Sequence, residues 1–147
     1  MTQSVLTKSA PSSFFLRGHV MPVKVLIADV DIDVQEFLND VLEINFKDVE
    51  IVRVLQVENL VKNLRENGHE YNLVLLNLYI AENKDIDIVD IINQTHPELM
   101  ERIILLDGIP DWYQGTNAVQ KLPVMQKPFS LDYFGDVVKK IYATQTA

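Results

Sequence analysis

Short, nearly continuous apolar runs alternate along this chain with longer stretches in which apolar residues recur every three or four positions. Val23–Ala28 (VKVLIA) reads as a strand covered on both faces. After it, Val34, Phe37, Leu38, Val41 and Leu42 fall at i, i+3, i+4, i+7 and i+8, the inner stripe of an amphipathic helix. Residues 49–55 mix charge with Val and Ile, which suits an edge strand. Val57, Leu60, Val61 and Leu64 form a second helical stripe, with Gly68 as its stop. Residues 73–78 (LVLLNL) are the most apolar strand, interrupted only by Asn77. A third helix is expected over 85–95, ended by His96-Pro97. Ile103–Leu106 reads as a fourth strand, 111–120 as weakly helical and 124–126 as a short fifth strand. Ser130 caps a last helix with Phe134, Val137, Val138 and Ile141 on one face.

Five strands alternating with five helical segments predict an α/β fold, a parallel sheet with helices on both faces. The common solution at this size is the flavodoxin-like (βα)5 sandwich with strand order 2-1-3-4-5, whose functional groups collect at the carboxyl ends of the strands. The pattern starts only at Val23, so residues 1–21 are expected to be an extension and 22–147 the domain. Two readings stay open for Phe14, Phe15 and Leu16: part of a loosely attached segment, or a short motif that docks on the domain or a partner.

Composition narrows the function classes. Apolar residues make up 48% of the 147, enough for a core, and no cysteine is present, which removes disulfide scaffolds and thiolate metal sites and fits a reducing cytoplasm. The formal charge of −8, with no Lys/Arg cluster, argues against nucleic acid as a partner. No apolar run is long enough to span a membrane, and residues 1–20 lack the core of a secretory leader. His19, His69 and His96 show no metal-ligand spacing.

The polar residues that end the strands carry the chemistry. Asp29 and Asp31 follow the first strand, Asn77 ends the third, Asp107 follows the fourth and Lys127-Pro128-Phe129 follows the fifth. Asp31 or Asp33 could equally be a helix N-cap. In this order the chain resembles the receiver domain of two-component response regulators, from about residue 23 to 142. Receivers have an apolar first strand ending in two acidic residues, here Asp29-Val30. Their third strand ends in the phosphorylated aspartate, matched by Asn77. Their fourth ends in Ser or Thr and a small residue, matched by Asp107-Gly108, and their fifth in Lys-Pro, matched by Lys127-Pro128. Asp29, Asn77, Asp107 and Lys127 are separated by receiver-like distances along the chain.

The resemblance implies that Lys127 would face a phosphoryl group and that the bond before Pro128 is a cis candidate. It also exposes several departures. Asn77 is a neutral amide and cannot act as the acyl-phosphate nucleophile. Val30 removes a carboxylate that would help hold Mg²⁺. Asp107 would repel a phosphoryl group, Val124 stands at the aromatic switch position, and Ile80-Ala81 and Asp85 replace the usual Met-Pro and Gly. Asp107 could instead pair with Lys127. The expectation is therefore a degenerate, non-enzymatic receiver that binds a protein partner independently of phosphate. That partner would be a histidine kinase or another regulator, or a second copy docked through the fourth helix, fifth strand and fifth helix. Trp112 and Tyr113 lie where receivers meet partners, as interface anchors or as core. No cofactor is expected; a residual Mg²⁺ site would have to use Asp29, Asp31, Asp107 or Glu82. The alternatives are a phosphorelay receiver with Asp29, Asp31 or Asp107 as acceptor and a small flavodoxin-like enzyme or nucleotide binder. The last is disfavoured because no glycine-rich loop follows Ala28.

Overall fold

The apolar runs β1 (Val23–Ala28), β2 (Val49–Val54), β3 (Leu73–Leu76), β4 (Ile103–Leu106) and β5 (Val124–Met125) form one sheet. In the computed structural model they lie in the order β2-β1-β3-β4-β5, every pair parallel. This is the 2-1-3-4-5 order expected from the alternation. The structure describes residues 23–113, 115, 117–126 and 135–136, together with the backbone of 14–16 and 19–21. Phe14–Leu16 and His19–Met21 pair antiparallel in a two-stranded sheet separate from the main one. Lys127, Pro128, Phe129 and the helix expected after Ser130 lie outside the described residues, apart from 135–136, which are helical.

Alternation within the strands divides the core in two. Leu26, Ala28, Val74, Leu76, Ile103 and Leu105 face the layer formed by α2 (Val57–Asn67) and α3 (Ile88–Thr95). Val25, Ile27, Leu73, Leu75, Ile104 and Leu106 face α1 (Ile32–Asn45). Because both faces are covered, β1, β3 and β4 tolerate almost no polar residue, whereas the edge strand β2 carries Glu50 and Arg53.

Several element boundaries depart from the sequence pattern for identifiable reasons. Asp31 accepts hydrogen bonds from the Asp33 and Val34 backbone N–H groups and so fixes the phase of α1. The buried stripe is then Gln35, Leu38, Val41 and Leu42, and Phe37, expected inside, is 39% exposed. Strand β3 ends at Leu76 because Asn77 opens a 3₁₀ turn over Leu78–Ala81. Helix α3 begins at Ile88, not at 85, because Asp87 caps it by accepting from the Asp90 N–H. The segment 111–120 holds only a 3₁₀ turn, Asn117–Lys121. Gly68 does end α2, but with right-handed backbone (φ −55°, ψ −37°). Its small size has another use: a Cβ there would fall on the ring of His96, the C-cap of α3.

Candidate functional site

Three buried polar side chains, Asp29, Gln35 and Asn77, sit at the carboxyl end of the sheet among the described residues. Asp29 directly follows β1 and is fully buried. Its Oδ1 accepts the Asp31 backbone N–H at 2.9 Å, and its Oδ2 accepts the Asn77 amide Nδ2 at 3.1 Å. Asn77 is held by the sheet itself, since its backbone N–H donates to the Ala28 carbonyl at 2.8 Å. Its Oδ1 accepts the Tyr79 backbone N–H at 3.0 Å. That last bond fixes the amide orientation, because only the oxygen can accept, so the NH₂ must face Asp29. A neutral donor thus lies against a buried carboxylate, at the position that the resemblance matches to the phosphorylated aspartate of receivers.

Gln35 closes the floor from below. Its Nε2 donates to the Asp29 and Val54 carbonyls, both at 2.7 Å, and its Oε1 accepts from Arg53 Nε at 3.0 Å. These bonds tie the ends of β1 and β2 to α1. Gln35 was missed in the sequence; its signal is a polar residue three before Leu38 on the stripe that the Asp31 cap turns inward.

Above the floor is an open cleft of about 470 Å³, lined by Val30, Asp31, Tyr79, Glu82 and Asp107 as well as Asp29 and Asn77. The structure therefore brings Asp29, Asp31, Asn77 and Asp107 together, as the strand ends predicted. Asp31 contributes mainly as the α1 cap. Val30, where the resemblance leads one to expect a carboxylate, is 55% exposed at the rim. Asp107 has φ +71° and is followed by Gly108 at φ +88°, so the loop leaves β4 through two left-handed residues. Asp is among the few non-glycine residues that tolerate this backbone, whereas the β-branched Thr common in receivers does not. The Asp107 carboxylate forms no ion pair among the described residues. Its proposed partner Lys127, like Pro128, lies outside them.

The donor set does not fit Mg²⁺, which needs oxygen ligands in near-octahedral array. Both Asp29 oxygens already accept N–H groups, Asn77 turns its NH₂ toward Asp29, and Val30 offers no ligand. Among the described residues no group of three or more His, Cys, Asp or Glu is placed to hold a metal ion.

Of the two aromatics after β4, Tyr113 is packed against the core, as one of the two readings had it, and Trp112 stays exposed. Tyr113 packs against the core and its hydroxyl donates to Asp87 Oδ1 while accepting the Val89 N–H at 3.3 Å. Burial and the Asp87 carboxylate raise its pKa well above the ordinary tyrosine value. It thus fastens the loop after β4 to the start of α3. Trp112 stays 37% exposed and stands edge-on to Tyr79, ring centroids 5.9 Å apart. Tyr79, 39% exposed, was not singled out in the sequence, though an aromatic three residues beyond a strand end is a usable signal.

Solved structures supply the comparison. A response regulator receiver domain protein from Clostridium thermocellum superposes with a TM-score of 0.66 at 16% identity, covering 84% of this chain and 97% of that one. A CheY-like receiver domain protein from Methanospirillum hungatei JF-1 gives 0.63 at 15%, covering 86% and 98%. A response regulator described as putative, from Chloroflexus aurantiacus J-10-fl, gives 0.62 at 22%, covering 84% and 99%. This is the receiver-domain fold. A family model described as LVIVD repeat matches residues 77–104 only, a stretch from the end of β3 through α3 into β4. No curated protein matches the chain. Among the described residues, no helix is long and apolar enough to cross a membrane.

Proposed function

We propose that this chain works in two-component-type signalling as a degenerate receiver, a protein-interaction module that does not take up phosphate. The observation that carries the reading is the Asn77 Nδ2 to Asp29 Oδ2 hydrogen bond. In a working receiver, clustered carboxylates need a cation to offset their repulsion, and that cation also prepares the site for phosphoryl transfer. Here an amide donor satisfies Asp29 directly, so the floor is complete without metal or phosphate. The loss of a carboxylate at Val30 and the acidic Asp107 at the mouth support the same reading. The partner is another protein of the pathway, a histidine kinase or a regulator, or a second copy meeting through the fourth helix, fifth strand and fifth helix. A cytoplasmic location fits such a role.

Of the alternative acceptors, Asp29 is buried beside Asn77 and Asp31 is engaged as the cap of α1, which leaves the half-buried Asp107 as the candidate. The test is incubation of the full chain with a small-molecule phosphodonor and Mg²⁺, read by intact mass. No phosphoryl gain is expected, either in the wild type or in Asn77→Asp. A gain in the wild type that disappears in Asp107→Asn would make the chain a phosphorelay receiver with a relocated acceptor.

A further inference from the structure

Tyr79 and Trp112 stand as a ridge between two acidic clefts. On one side lie Glu82 and Asp107; on the other, in a smaller cleft of about 220 Å³, lie Asp85 and Asp87. The cation lining these clefts among the described residues is Lys84, already paired with Glu58 at 3.1 Å. The ridge is held in place before any partner arrives. Trp112 is braced edge-on by Tyr79 at 86° and by Tyr113 at 60°, and Tyr113 is tied to Asp87. Rigid, half-exposed Trp and Tyr side chains lose little freedom on binding and are the residue types that dominate interface energetics.

Charge decides what such a ridge takes. The carboxylates on both sides disfavour an acidic segment or a phosphate backbone, and electron-rich ring faces attract guanidinium and ammonium groups. Resting on the reading above of a protein-interaction module, we propose that this ridge binds an arginine-bearing segment of the partner protein. Arginine stems lie along Trp112 and Tyr79, and the guanidinium groups reach Glu82 and Asp107 on one side and Asp85 on the other. Arginine suits the place better than lysine because its planar group both stacks on rings and pairs with carboxylates.

Trp112 is the only tryptophan in the chain, so its fluorescence reports the ridge alone. The probe is a blocked hexapeptide Gly-Arg-Gly-Leu-Arg-Gly, titrated into the full chain, with a counterpart in which both arginines are glutamate. Saturable change with the arginine peptide at least tenfold tighter than with the glutamate one, weakening with salt, is expected. The double variant Glu82→Gln/Asp107→Asn should lose about tenfold, and asparagine keeps the left-handed backbone at 107 accessible. Removing the same charge from the exposed outer face of α1, by Asp40→Asn/Glu43→Gln, should change binding less than twofold. No saturable response, equal binding of the two peptides, or equal losses in the two double variants would each overturn the proposal. None of these outcomes bears on phosphorylation, which the mass measurement decides separately.

Discussion

The two ends of the sheet solve opposite problems. At the amino end of β1, Lys24 donates to Glu70, lies 3.3 Å from Glu50 and sits over the Tyr71 ring at 5.5 Å. At the carboxyl end, Asp29, Asn77 and Gln35 make their bonds out of water. A solvated cluster loses little when one partner goes, because water replaces it. A buried circuit has no such substitute, and each unmet donor or acceptor carries its full desolvation penalty. The carboxyl end is therefore where one residue identity decides what the site can hold.

Asn77→Asp tests that contrast most severely. It replaces the donor facing Asp29 with a second carboxylate, and a loss of about 3 kcal/mol at neutral pH is expected from denaturant melts. Crowding and burial raise the folded-state pKa of the new group above its unfolded value of about 4. The penalty should therefore be nearly absent below about pH 4 and grow as pH rises through neutrality. A penalty independent of pH would mean that charge is not its cause. Gln35→Leu keeps the volume but leaves the Asp29 and Val54 carbonyls without their side-chain donor, at a cost of about 2 kcal/mol. If it stabilises instead, the floor does not depend on that amide.

Lys24→Met should matter least, below about 1 kcal/mol in the same melts, and the difference should fade in high salt. Its pH dependence has two limits. The hydrogen bond to Glu70 raises the Lys24 pKa, so that contribution is present below the ordinary 10.5 and lost as pH climbs through the raised value. The Glu70 pKa is lowered chiefly by the same bond, so its contribution is present above the ordinary 4.5 and lost as pH falls through the lowered value. Variant and wild type should thus converge at both extremes of pH. A Lys24→Met cost as large as that of Gln35→Leu would erase the distinction between the two ends.

Much of this was legible in the residues because the relevant forces are local or periodic. Continuous apolar runs for β1, β3 and β4 require a sheet covered on both faces, and helical spacing between them requires crossovers. Strand order and the convergence of Asp29, Asn77 and Asp107 followed from that topology. Capping was half-legible: Asp31 was open between cap and pocket, and it serves chiefly as the cap while still lining the cleft.

Tertiary structure decided what depends on partners distant in sequence. Phe37 yielded the inner face of α1 to Gln35 because carbonyls at the ends of two strands needed a donor there. The left-handed turn at Asp107-Gly108 and the edge-on contact of Tyr79 with Trp112 likewise arise from loops meeting across the sheet end. The identity of residue 77 shows the division most clearly. Sequence alone put a neutral amide where the resemblance to receivers leads one to expect a nucleophile. Only the fold, by fixing its oxygen on the Tyr79 N–H, turned its NH₂ toward Asp29 and made it the donor that satisfies the buried carboxylate.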